Sequence, residues 1–305
     1  MKSEALKRKL SNCAHSKHTW CVTRPDDDSV PVFGALVLLV LVAALMYGLT
    51  LGLAALYAFR YEVSFPTGLA SVRGQLLTLT GVQLAAMGTA LAVGLRLFSS
   101  QASLSEALHL RPVKSRTLAL SLLGGACLQF PLTELSNLAQ ELLGPVPLEQ
   151  QLAQQNLLSA HSPLQGLVVL SCLAVLVPAA EELVFRGFLL FGLRRRYGTG
   201  LALLVSSCLF GLAHFSAVAA VYAAVAGLIL GVLAILTRSV WPGIALHAAV
   251  NAVPVLLPEQ LLPISGFNVP SATPSHLVHW LVWPPLLLAA VLLASASRVE
   301  QRETP

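Results

Sequence analysis

The chain has 305 residues, of which 56% are hydrophobic and 11% charged, with a formal net charge of +5. So apolar a composition excludes an ordinary soluble domain, and several runs reach the roughly 20 apolar residues that span about 30 Å of hydrocarbon. The positive charge does not point to nucleic acid, because the Lys and Arg residues sit at the ends of apolar runs, where they set topology.

In chain order, residues 1–30 read as a polar, basic, disordered tail on the cytoplasmic side. Within it, CAHSKHTWC carries Cys13, His15, His18 and Cys21. Such nitrogen and sulfur ligands suit zinc, but the spacing matches no standard finger and so short a loop would strain a tetrahedral site. Residues 31–297 read as a membrane-embedded domain, with helices predicted at 31–58, 74–97, 116–135, 163–192, 200–215, 217–236, 242–257 and 278–297. The expected fold is therefore all-α, a polytopic membrane protein of about eight transmembrane helices. The first apolar run is too long for a signal-peptide core and reads as a retained helix. Residues 136–162 are rich in Gln and Leu around Pro145 and Pro147; they read as short amphipathic helices on the outer surface, a lid or ramp, or as a plain connector. Residues 298–305 read as a cytoplasmic C-terminal tail. Cys127, Cys172 and Cys208 fall within helices as packing residues, and no disulfide framework is expected.

Topology follows from the basic residues. With the N-terminus inside, Lys2, Lys7, Arg8, Lys9, Lys17 and Arg24 are cytoplasmic, as are Arg96, Arg111, Lys114 and Arg116, Arg194, Arg195 and Arg196, Arg238, Arg298 and Arg302. Only Arg60 and Arg73 fall outside, and the third loop holds Glu134, Glu141 and Glu149 without one Lys or Arg. Both termini are thus expected in the cytoplasm, and the compact Ala/Leu-rich chain suggests a bacterial inner membrane.

Ionisable groups within the spans are few. A charge at a helix centre costs about 2.5–3.5 kcal/mol on insertion scales, so such groups are functional or tightly paired. They are Glu181, Glu182, Arg186, His214 and His247, with Asn251 as a polar companion. Glu182 and Arg186 stand four apart with the acid first, the favourable order for a pair along one helix face. Glu181 is turned about 100° away and is left unpaired by its own helix, which suits a general base. Phe210 and His214 share one face of their helix, as His247 and Asn251 do of theirs. Counting about 1.5 Å of rise per residue from the cytoplasmic boundary puts Glu181 and His214 about 20 Å deep, and His247 and Asn251 roughly 8–14 Å deep. Three helices thus bring polar groups to one overlapping layer, which scattered structural residues have no reason to do.

EELVFR, FGLAH and HAAVN fit EExxxR, FxxxH and HxxxN, and their order and spacing resemble the CAAX-protease and bacteriocin-processing family of intramembrane proteases, also called CPBP or Abi. The resemblance covers roughly residues 165–255, with the motifs in 178–251. It implies a catalytic cavity within the helical bundle, opening to the cytoplasmic side or to lipid, and a membrane-associated protein or peptide as substrate. On that resemblance, Glu181 and His214 hold and deprotonate the attacking water. His247 and Asn251 stabilise the oxyanion, while Glu182, Arg186 and Phe210 support the architecture. No cofactor is expected. Zinc is the alternative, weakened by the lack of HExxH and by Asn being a poor ligand. The processing expected is at a C-terminus, a sorting anchor or a leader. Two other classes stand beside the protease: a proton-coupled transporter, which would need a polar path across the whole membrane, and a non-catalytic immunity or scaffold protein of the same fold.

Overall fold

A computed structural model describes residues 29–99, 103–160 and 162–301. The segment with Cys13, His15, His18 and Cys21 lies outside the described residues, as do the rest of residues 1–28 and residues 302–305. Helices make the fold: α1 (Val32–Tyr61), α2 (Phe65–Arg73), α3 (Leu76–Phe98), α4 (Ser115–Leu143), α5 (Leu148–Leu158), α6 (Pro163–Tyr197), α7 (Thr199–Leu212), α8 (Ala217–Thr237), α9 (Trp241–Leu256) and α10 (His279–Gln301). Six of these, α1, α3, α4, α6, α8 and α10, are long and apolar enough to cross a membrane. The chain is a helical, multi-pass membrane protein. The other two expected spans, α7 and α9, are apolar but have only 14 and 16 residues.

Burial follows from the solvent. Outward positions such as Phe33, Val40, Leu56 and Leu287 are large, apolar and exposed, as a lipid-facing surface requires. The buried core gathers around α6, where Phe185, Phe188, Leu189, Leu190 and Leu193 are almost wholly enclosed by α1, α3, α7 and α8. A second cluster joins Leu128 and Leu132 of α4 to Leu230, Leu233, Leu246 and Ala289.

Two elements depart from the sequence reading. The third helix was expected to stop near residue 135, where ELSN turns polar; α4 instead runs through Pro131 to Leu143. Its polar side chains are satisfied from outside the helix. Asn137 Nδ2 donates to the Gly266 carbonyl at 2.8 Å, and Glu134 Oε2 accepts from the Leu277 amide at 2.8 Å. The connector after it forms one helix, α5, tied to the segment 257–278 by Gln151, whose Nε2 donates to the Ser271 carbonyl at 2.9 Å and whose Oε1 accepts from the Ser271 amide at 3.0 Å.

The two ends of the bundle differ in charge. One end is knit together by Val30 N–H to the Gly192 carbonyl, Val240 N–H to the His109 carbonyl, Ser239 Oγ to the Arg111 carbonyl and Lys114 Nζ to the Val299 carbonyl. Arg96, Arg111, Lys114, Arg116, Arg194, Arg195, Arg196, Arg238 and Arg298 lie at or beside these junctions. The other end, built from α2, α5 and residues 257–278, carries Arg60 and Arg73 against Glu62, Glu141, Glu149 and Glu259.

Candidate active site

The two glutamates sit on α6 between two stretches of wide, π-type turns, Ser171–Leu176 and Leu183–Leu190. Such turns inside an α-helix are frequent at functional sites. Both carboxylates are buried, Glu181 at 7% exposure and Glu182 at 0%, and Arg186 is also at 0%. Arg186 Nη1 donates to Glu182 Oε1 at 2.6 Å, as the four-residue spacing predicts. The rest of the guanidinium faces an aromatic ring: its Cζ lies 4.0 Å from the centroid of Phe210, a desolvated cation–π contact. Helix α8 can come this close because position 227 is glycine, where a Cβ would stand 3.1 Å from Arg186 Nη2.

His247, from α9, joins the carboxylates. Its Nδ1 lies 3.0 Å from Glu182 Oε1, the oxygen that Arg186 holds, so Nδ1 is the donor there. Its Nε2 lies 3.7 Å from Glu181 Oε2. One turn along α9, Asn251 Nδ2 donates to the Leu173 carbonyl at 2.9 Å, inside the first wide-turn stretch of α6.

Glu181 is unpaired by its own helix, as expected, but it is not alone. Gln83 Nε2, from α3, donates to its Oε1 at 2.7 Å. Nothing in the motifs marks Gln83; the available signal was a long amide midway along an otherwise apolar run. His214 lies in the turn after α7, which ends earlier than the predicted 215, and the next residue, Phe215, has φ 51°. Its Nδ1 donates to the Phe210 carbonyl at 2.9 Å, and its ring stands 5.1 Å edge-on to Phe210 and 6.2 Å from Tyr222. Among the described residues, the imidazole that pairs with Glu181 is that of His247. Phe210 links the set, lying 5.1 Å from the ring of His214, 5.8 Å from that of His247 and under Arg186.

A cavity of about 430 Å³ reaches this layer, with Asn251, Val250, Leu173 and Tyr222 in its wall. Its remaining wall comes from α4, α5 and residues 266–275. It thus lies towards the bundle end away from the basic residues, whereas the resemblance implied an opening to the cytoplasmic side or to lipid. No group of three or more His, Cys, Asp or Glu side chains is arranged to hold a metal ion among the described residues.

Residues 163–253 match the family model described as type II CAAX prenyl endopeptidase, Rce1-like. Over these residues the chain is similar to the Rce1-like family. The match takes in EELVFR, FGLAH and HAAVN and is consistent with the wider CAAX-protease and bacteriocin-processing family. No curated protein and no solved structure matches the chain. The match supports intramembrane endopeptidase activity in general; it spans α6 to α9, with α3 adding Gln83 from outside it.

Proposed function

We propose that the Rce1-like domain hydrolyses a peptide bond of a membrane-associated protein or peptide, with Glu181 as general base. The observation that carries this is the gathering of two buried carboxylates, Glu181 and Glu182, with the imidazole of His247 in one polar layer, beside a cavity whose wall Asn251 joins one turn further along α9. The basic end of the bundle then faces the cytoplasm of a bacterial cell, by the positive-inside bias.

The hydrogen bonds support distinct roles for the two histidines. His214 donates its Nδ1 proton to the Phe210 carbonyl, so in the neutral ring Nε2 is a bare acceptor, suited to holding a water with Glu181. His247 donates Nδ1 to Glu182; when protonated, its Nε2–H is a donor suited to the oxyanion, with Asn251 beside it. In the proposed step the water oxygen bonds to the scissile carbonyl carbon and its proton passes to Glu181. Collapse breaks the C–N bond as that proton moves to the leaving amine. Only protein groups and water take part.

The test is cleavage of a quenched fluorogenic peptide pool by purified full-length protein in detergent. Turnover that is lost in Glu181→Gln and persists after EDTA dialysis is expected; undiminished turnover by folded Glu181→Gln protein would refute the assignment. The transporter alternative has weaker support, since the charged and imidazole groups gather at one layer.

A further inference from the structure

The cavity at the less basic end differs in chemistry from what the family description names. Its wall mixes apolar side chains, among them Leu132, Leu158, Leu173, Val250 and Phe267, with six amide side chains and six hydroxyl groups, but holds no Lys, Arg, His, Asp or Glu. Some of these groups hold the wall itself: Asn137 binds the Gly266 carbonyl, Gln151 grips Ser271, and Gln140 Oε1 accepts from the Val146 amide at 3.1 Å. Others present neutral donors and acceptors along the way from α5 down to Asn251 and Tyr222.

Three ligand classes can be weighed against that wall. A hydrocarbon chain such as an isoprenyl group would suit the apolar side of the wall but strip water from the amides and give no hydrogen bond back. A free C-terminal carboxylate would find no cation among the lining residues. A polypeptide meets both sides of the wall, its N–H and C=O groups satisfied by amides and hydroxyls without any charge and its apolar side chains by the leucines, Val250 and Phe267.

We propose that this cavity is a substrate-binding cleft for an extended, uncharged internal polypeptide segment, admitted from the non-cytoplasmic face. The segment lies along the amide wall with its scissile bond at Asn251. Cleavage through this cleft is therefore endoproteolytic within a segment exposed outside the membrane, not removal of the end of a cytoplasmic prenylated tail. The sidedness rests on the cytoplasmic placement of the basic end and the cleavage rests on the proposed function; the binding chemistry needs neither.

The experiment uses full-length Glu181→Gln protein with its native cysteines replaced by alanine and Ser136→Cys added on the cavity wall. A second probe, Ser275→Cys, guards against misfolding of the first. In intact spheroplasts both thiols should react with a membrane-impermeant maleimide from outside. A pool of N-acetylated, C-amidated neutral peptides, at about ten times its Kd, should slow that reaction about tenfold. Farnesylcysteine methyl ester should leave it unchanged. Labelling that requires access from the cytoplasm, protection by the farnesyl compound instead, or no protection by peptides would each overturn the proposal. Cleavage is measured separately on the wild type in detergent. Peptide protection without turnover sinks the protease reading and leaves the cleft; turnover without protection does the reverse.

Discussion

His247 Nδ1 and Arg186 Nη1 converge on one atom, Glu182 Oε1, at 3.0 and 2.6 Å. Glu182 therefore has two duties, neutralising a wholly buried guanidinium and aiming the imidazole. Removing one partner of a buried pair costs about 3–5 kcal/mol because a charge is left unpaired, whereas replacing both by apolar residues is often neutral. Glu182→Leu should accordingly lower the thermal midpoint and the yield of folded protein. The double variant Glu182→Leu/Arg186→Met should regain stability yet stay inactive, because His247 has lost its orienting acceptor. Thermal unfolding and peptide turnover, measured on the same preparations, separate the two duties.

Gln83 should matter for turnover although it lies outside the Rce1-like segment. A hydrogen bond to a charged group contributes about 1.5–3 kcal/mol, so its loss frees the Glu181 carboxylate to turn away from the water. Gln83→Leu should lower kcat about tenfold with KM little changed, and Glu181→Gln should lower it about 10²–10⁴-fold. Steady-state kinetics on one fluorogenic peptide check both, and an unchanged kcat in Gln83→Leu would remove Gln83 from the site.

Much of this arrangement was legible from residue spacing. The Glu182–Arg186 pair follows from a four-residue step on one helix, whereas helical rise set His247 shallower than Glu181, although its Nε2 lies 3.7 Å from Glu181 Oε2. What spacing could not give is contact between helices. It did not reveal that His247 is the imidazole beside Glu181, nor that Gln83 reaches it from α3. Those depend on how α3 and α9 are rotated against α6, which packing decides. The length of α4 was hidden for a related reason. ELSN reads as a helix end until the Gly266 carbonyl and Leu277 amide are seen to take its polar groups.

Gly243 makes a prediction of its own. A Cβ there would sit 2.9 Å from Glu182 Oε2, so α9 approaches the carboxylate only because this position carries no side chain. Overpacking a tight site costs typically about 1–3 kcal/mol, and here the displaced atom belongs to the group that aims His247. Gly243→Ala should therefore lower turnover more than its modest loss of stability explains. Alanine at Gly81, where a Cβ meets nothing within 4 Å, serves as the neutral control. Turnover that falls only in proportion to folded protein would show that Glu182 can yield without disturbing His247.

The segment roofing the cavity is latched by His276, whose Nδ1 and Nε2 lie 2.7 Å from Glu134 Oε1 and 3.0 Å from Glu141 Oε1. The hydrogen bond to Glu134, then that to Glu141, raise the pKa of His276 above its ordinary value. A raised histidine pKa means that the folded state holds the proton more tightly than the unfolded one, so the latch is fully present below about pH 6.5. It weakens as pH climbs through the raised value, where the neutral ring keeps one donor and can satisfy one carboxylate. Hydrogen exchange of residues 257–278 should accordingly speed up on that alkaline side beyond the intrinsic pH dependence of exchange. His276→Gln should show loosened exchange already at low pH, with that excess pH step gone. The effect should be modest, since His276 is 38% exposed and Glu141 more so, and solvent screens such pairs. Equal protection of this segment in wild type and His276→Gln at low pH would mean that α5, through Gln151 and Ser271, holds the roof without the histidine.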